Sequence, residues 1–210
     1  MTTSGAKRLD PDHFQEVLRI PPLDEIKDGD LFTLSLSNKT NTLTHGLHRF
    51  AAKFIPQIPA WALDNFAHED SVVLDPFMGS GTTLVEGTTR AGTYIGVDID
   101  PLARFIAGAK TVKVDHNRVI ELGDEIRMLW SKPAATLQPP MPDIQNFDHW
   151  FEIEQWGWLQ SLREVILVLE GSDAERNFLL AVFSSCLRRV SRADDQSQNC
   201  LLYTSDAADE

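Results

Sequence analysis

The 210-residue sequence predicts an α/β fold: part of a doubly wound, mostly parallel sheet with a helical segment appended to it. Three observations carry that expectation. The run Val72-Val73-Leu74-Asp75-Pro76-Phe77-Met78-Gly79-Ser80-Gly81-Thr82-Thr83-Leu84 leads a short apolar stretch through an acid and a Gly-x-Gly turn into a hydroxyl-rich helix start, the pattern of a strand handing over to a helix. A second unit follows at Tyr94-Ile95-Gly96-Val97-Asp98-Ile99-Asp100-Pro101, where an apolar strand ends in acids and Pro101 suits a first helical turn that has no use for its amide. Beyond a Pro-rich break, only helical periodicity remains.

Residues 1–30 are polar and Pro-rich, with a short amphipathic stretch at His13–Ile20. Leu31–Leu36 alternates as a strand with one buried face. Lys39–Thr44 is a polar loop. Ile58, Trp61, Ala62 and Phe66 recur at helical spacing, which predicts a helix over Pro56–Phe66. Ser71–Leu74 is expected as a buried strand, Thr82–Arg90 as the helix after the glycine turn, Tyr94–Val97 as the next strand and Leu102–Lys110 as the next helix. Thr111–Val114 is expected as a third strand, and Asp115 as the cap of a helix over Arg118–Trp130. Successive strand–helix units imply a parallel sheet with helices on both faces. Pro133–Pro142 holds four prolines in ten residues and reads as a linker. An aromatic-rich run, Phe147-Asp148-His149-Trp150-Phe151, comes next, then Trp156 and Trp158. Two helices follow over Ile153–Glu170 and Asp173–Arg192, parted by Gly171-Ser172, with Ser172 or Asp173 as the second cap.

Composition narrows the class. A hydrophobic content of 42% is ordinary for a globular chain and supplies a core. No apolar run reaches the ~18 residues of a membrane span, and no positively charged, apolar N-terminal signal is present; the expected compartment is the cytoplasm. The two cysteines, Cys186 and Cys200, form no disulfide framework, and no Cys/His cluster has zinc spacing, so no metal is expected. The net charge of −12 runs against the basic footprint of nucleic-acid-binding domains. Local clusters such as Arg188, Arg189 and Arg192 can still act, because local field matters more than net charge.

The turn itself discriminates among ligands. A phosphate-cradling loop needs Lys directly after its last Gly, and Thr82 stands there. A dinucleotide fingerprint needs a third Gly or Ala, and Leu84 stands there. Asp75 would repel a pyrophosphate and would welcome a cationic amino group. S-adenosyl-L-methionine carries such a group and no phosphate. In that reading Gly79 and Gly81 let the cofactor approach the backbone. The helix start at Thr82 faces the methionine carboxylate, with Thr82 and Thr83 either capping the helix or touching the ligand. Asp98 lies close to the ~20-residue spacing of an acid that binds ribose hydroxyls. Ile99 lies against the adenine, and Asp100 serves as a cap before Pro101.

Asp75-Pro76-Phe77-Met78-Gly79-Ser80-Gly81-Thr82-Thr83 resembles motif I of the DNA amino-methyltransferases, which make N4-methylcytosine or N6-methyladenine. Upstream, Thr44-His45-Gly46-Leu47-His48-Arg49-Phe50-Ala51-Ala52-Lys53-Phe54-Ile55-Pro56-Gln57-Ile58-Pro59 resembles the motif X that precedes motif I in that family and covers the cofactor. The resemblance spans roughly residues 40–105. It implies a Rossmann-like methyltransferase sheet, S-adenosyl-L-methionine as cofactor, DNA as the partner of the full-length protein, and a restriction-modification setting. It implies cofactor contacts by Asp75, Pro76, Phe77, Gly79, Gly81, Thr82, Asp98 and Ile99, and, from motif X, by Phe54 and Pro56. The organisation along the chain gives an expected division of 1–132 for an N-terminal segment and cofactor-binding half, 133–145 for a Pro-rich linker, 146–199 for a helical insertion and 200–210 for a tail.

The family's catalytic motif is a Ser, Asp or Asn followed by Pro-Pro and an aromatic residue. Neither Pro-Pro pair here fits: Ile20-Pro21-Pro22-Leu23 lacks both flanking types, and Gln138-Pro139-Pro140-Met141 lacks the aromatic. No catalytic residue is therefore assigned, and the chain is expected to be inactive alone. Cys200–Glu210 resembles a translated transposase-type sequencing adapter, so the genuine sequence is expected to end near Asn199. An RNA methyltransferase, or a non-catalytic remnant that binds cofactor or a partner, stays open beside the DNA methyltransferase. His45 and His48 invite a metal or base role but lack a third ligand. Trp150, Phe151, Trp156 and Trp158 suit base stacking or, more simply, a small helical core.

Overall fold

The computed structural model describes residues 14–17, 19–34, 42–51, 53, 55–130, 140–143 and 147–192. The chain divides into two compact units, residues 1–112 and 113–210.

In the first unit, β1 (Phe14–Val17) pairs in parallel with β2 (Leu31–Leu34), in the register Phe14↔Leu31 to Val17↔Leu34. Parallel pairing requires a crossover rather than a hairpin. This one carries a single 3-10 turn at Leu23–Glu25. It is pinned to helix α1 (Gln57–Phe66): the Trp61 indole N–H donates to the Pro21 carbonyl at 2.6 Å, and the Leu23 amide donates to Asn65 Oδ1 at 3.1 Å. The first Pro-Pro pair is thus part of a structural strap. β1 forms inside the stretch that the sequence marks only as amphipathic.

β3 (Val72–Asp75), helix α2 (Thr82–Gly87), β4 (Thr93–Gly96) and helix α3 (Pro101–Thr111) make the two expected strand–helix units. β3 and β4 pair in parallel, Val72↔Thr93 through Asp75↔Gly96. Helix α2 packs on α1, on α3 and on β4. Val85, Ala103, Ile106 and Ala107 are buried between them. Asp100 caps α3 by accepting the Leu102 amide at 2.8 Å, with Pro101 as the first helical residue.

Three expectations are corrected here. β3 is not buried on both sides: Val72 is 67% and Leu74 59% exposed, and Ile95 and Val97 beside them are exposed too. Strand side chains alternate between faces, so one face of this sheet meets the helices while an apolar second face stands open. Helix α2 ends at Gly87, short of Arg90, and residues 88–90 form a turn. The expected third strand at Thr111–Val114 does not form. α3 continues through Thr111, and Val112 is extended (φ −67°, ψ 138°) without a ladder partner. β propensity without a neighbouring strand leaves an extended connector.

The second unit is helical: α4 (His116–Leu129), α5 (Phe147–Trp150), α6 (Ile153–Val168) and α7 (Asp173–Val190). Asp115 caps α4 by accepting the Arg118 amide at 3.0 Å. Ser172 caps α7 through a reciprocal capping box with Glu175. Leu122 of α4, Ile166 and Leu169 around the end of α6, and Leu179 of α7 form the buried core, with Ile126, Leu162, Leu180 and Phe183 against it. Helix α4 thus groups with α6 and α7, whereas the sequence reading keeps it with the strand–helix half. Phe147 stacks on Phe151 at 5.5 Å and meets Trp156 edge-on at 4.8 Å, and Trp130 meets Trp158 edge-on at 5.4 Å. The aromatic-rich segment packs largely on itself. Most of the Pro-rich linker and the whole tail from residue 193 lie outside the described residues.

Candidate functional site

The site is built where β3 and β4 end. In a parallel sheet these carboxyl ends open onto the loops that carry ligands. Four backbone bonds and one carboxylate shape the turn after β3. The Met78 amide donates to the Val97 carbonyl at 3.1 Å, and the Val97 amide to the Asp75 carbonyl at 2.9 Å. The Gly81 amide donates back to the Met78 carbonyl at 2.8 Å, and the Val85 amide to the Gly81 carbonyl at 2.9 Å. The Gly79 amide donates to Asp98 Oδ2 at 2.8 Å.

Gly79 and Gly81 both adopt positive φ, 50° and 81°. The reason for Gly81 differs from the expected one. A Cβ there would lie 2.8 Å from the Ala107 Cβ and 3.2 Å from its Cα, so the missing side chain admits helix α3. At Gly79 a Cβ would meet only the Phe50 ring at 3.8 Å, which is ordinary contact, so there the backbone angle sets the requirement.

Asp75 sits half-buried at the strand end, and its Oδ1 accepts the Phe77 amide at 3.2 Å. Asp98 accepts the Asp100 amide on Oδ1 at 2.9 Å and Gly79 on Oδ2. These two backbone N–H groups, Asp100 first, hold its carboxyl below the ordinary aspartate range. Asp98 therefore joins the two loops, and its carboxylate, with about four lone-pair sites, retains acceptor capacity. Phe77 is 87% and Ile99 96% exposed, on the loops that Asp98 ties together. Pro76 lies exposed in the turn, and Thr82 is buried at the first position of α2. Asp75, Pro76, Phe77, Gly79, Gly81, Thr82, Asp98 and Ile99 thus come together on two adjacent loops. Pro56 is buried as the N-cap of α1, with its carbonyl accepting the Ala60 amide at 3.0 Å. Phe54 lies outside the described residues.

Behind the turn, sequence reasoning gave His45 a different role and missed Glu86 and Lys110. His45 is 2% exposed, and its Nε2 lies 2.8 Å from Glu86 Oε1. Glu86 Oε2 accepts from Arg90 at 3.0 Å, and Arg90 reaches Asp64 of α1 at 2.7 Å. The side chain singled out for a metal or base role thus anchors the Thr42–Phe50 segment to α2. Among the described residues no group of three His, Cys, Asp or Glu side chains is placed to hold a metal ion. Lys110 is 3% exposed and donates to the Ser80 carbonyl and hydroxyl at 3.2 and 3.1 Å. Its only sequence signal is a lysine on the last turn of an otherwise apolar helix face.

Comparison with known proteins follows the same residues. Residues 20–107 match the sequence profile of the DNA methylase family. The Type II methyltransferase M.MvaI of Kocuria varians is 30% identical over 177 residues, which cover 80% of this chain and 38% of that protein. The Type II methyltransferase M.MjaII of Methanocaldococcus jannaschii is 42% identical over 89 residues, covering 42% of this chain and 17% of that protein. The chain spans well under half the length of either curated relative. No solved structure matches it. The glycine turn, the acid-ended strands and these comparisons agree that residues 20–107 are similar to the N6/N4 DNA methylase family.

Proposed function

We propose that residues 20–112 form the S-adenosyl-L-methionine-binding part of a DNA methyltransferase that acts on an exocyclic base amine, cytosine N4 or adenine N6. β3 and β4 are then two neighbouring strands of a Rossmann-like methyltransferase sheet. The open apolar face of Val72, Leu74, Ile95 and Val97 supports this, because parallel sheets of that class are covered on both faces.

One observation carries the cofactor reading. Two almost fully exposed apolar side chains, Phe77 and Ile99, flank two strand-end carboxylates, Asp75 and Asp98, at one glycine turn. Exposed apolar groups rimmed by polar ones mark binding surfaces. The set matches a ligand with a cationic amine, ribose hydroxyls and a flat base, and offers nothing to a phosphate. Asp75 takes the amino group, the free lone pairs of Asp98 take ribose hydroxyls, and Phe77 and Ile99 cover the adenine. Pro76, Gly79, Gly81 and Thr82 shape the backbone of the turn, while Pro56 and Phe54 belong to the segment that closes over it. When bound, the cofactor supplies a methyl group on a sulfonium, an electrophile that the protein needs only to hold in line with its acceptor.

The base amine is a poor nucleophile, since its lone pair is delocalised into the ring. The groups that accept its N–H bonds and stack on a flipped base belong to a Pro-Pro motif this sequence lacks. The chain therefore positions the donor, and DNA is the substrate of the longer protein. Asp75→Ala tests the donor site. Affinity for S-adenosylmethionine falls by about tenfold or more, as for a lost charge-assisted hydrogen bond, while the melting temperature stays nearly unchanged. Equal affinity in the variant contradicts the assignment. DNA methylation by the purified chain, lost on Asp75→Ala, contradicts the division of labour.

A further inference from the structure

We infer that Lys110 is a positioning residue for the glycine turn: its buried ammonium holds the Ser80 peptide and hydroxyl in the geometry that receives the methyl donor. The inference rests on the donor reading given above. Lys110 sits on the last turn of α3 and is 3% exposed, yet no carboxylate pairs with it among the described residues. Its two hydrogen bonds both go to Ser80, itself 1% exposed, between the two positive-φ glycines. The Ser80 carbonyl belongs to the same peptide as the Gly81 amide, which donates to Met78. A cation on that carbonyl therefore fixes the peptide plane on which the turn closes.

The backbone of Lys110 is engaged as well. Its carbonyl accepts the Thr44 hydroxyl at 2.7 Å, and Lys53, on the same 42–56 segment, donates to the His45 carbonyl at 3.2 Å. One residue thus joins the segment expected to close over the cofactor to the turn expected to cradle it. The charged groups on the neighbouring elements include Arg49 and Lys53 on that segment, Asp98, which the Gly79 amide occupies, and Glu86 on α2, which His45 and Arg90 occupy. Lys53 adds like charge, and among the described residues no carboxylate bonds to Lys110 to offset it.

A buried ammonium without a carboxylate lowers stability. Burial, and then Lys53, bring the Lys110 pKa down to about 8. A methionine would fill the same volume without that penalty. A buried lysine whose ammonium bonds only to Ser80 among the described residues therefore points to a role in the turn rather than in stability.

The test compares the wild-type chain with Lys110→Met, Lys110→Arg and Ser80→Ala by calorimetric titration with S-adenosylmethionine. Thermal melting is followed in parallel. Lys110→Met is expected to melt at or above the wild-type temperature and to bind about tenfold more weakly, the loss of hydrogen bonds from a charged donor. Ser80→Ala, which keeps the carbonyl, loses less, and Lys110→Arg restores part of the affinity. The ratio of wild-type to Lys110→Met affinity is largest well below pH 8 and falls toward one above it, as the ammonium loses its proton. The ligand's own amino group titrates in both proteins and cancels in that ratio. Equal affinity of wild type and Lys110→Met, or a ratio flat with pH, overturns the inference while leaving the donor site intact. Should Lys110→Met not fold, wild-type affinity in Ser80→Ala overturns it. Absence of binding by the wild type overturns the donor reading and this inference together.

Discussion

The two units of the chain solve different problems. In residues 113–210 the helices bury Leu122, Ile166, Leu169 and Leu179, seal their starts with Asp115 and Ser172, and turn aromatic rings on one another. In residues 1–112 the helices bury Leu63, Val85 and Ile106 together with alanines, while Phe77, Ile99, Val72 and Leu74 face outward. Polar bonding is concentrated there in the loops after β3 and β4, where Asp98, Ser80 and Lys110 hold a turn of two positive-φ glycines. A unit that exposes large apolar groups beside a rigidly bonded turn is arranged to receive something. The helical unit also leaves apolar groups exposed, Met128 and Val168 among them, but none of its described residues forms a bonded turn of positive-φ glycines.

Substitutions sharpen this contrast. The largest effect is expected at Gly81→Val. A left-handed backbone and a clash with the Ala107 backbone combine to cost about 3–5 kcal/mol and abolish donor binding, read by thermal melting and titration. Leu122→Ala leaves a cavity in the helical core and costs about 2–5 kcal/mol. At temperatures where that variant is folded, its donor affinity equals the wild type, because every proposed donor contact lies before residue 112. Ser172→Ala removes a capping box and costs about 1 kcal/mol, again with no change in donor affinity. Loss of binding in either helical-unit variant would break the comparison.

Local features were legible in the sequence. The glycine turn, the Asp100 cap before Pro101, the Asp115 cap and the Gly171-Ser172 break all depend on residues within a few positions of one another, and all appear where expected. What failed depended on partners. Thr111–Val114 has the composition of a strand but no strand beside it. Ser71–Leu74 reads as fully buried because its residues are apolar, although exposure is decided by what covers the second face. The Lys110–Ser80 and His45–Glu86 pairs join residues 30 and 41 positions apart, and no periodicity announces such contacts. The sequence offered Gly81 a ligand-facing reason, while the structure gives it a helix-packing one. Both reasons leave glycine in place, so only the geometry separates them.

The most direct test of the central claim is a calorimetric titration of the 210-residue chain with S-adenosylmethionine and, separately, with NAD⁺. The account predicts saturable binding of S-adenosylmethionine that Asp75→Ala weakens, and no binding of NAD⁺, whose pyrophosphate Asp75 repels. Preferential binding of NAD⁺, or S-adenosylmethionine binding indifferent to Asp75, would contradict it.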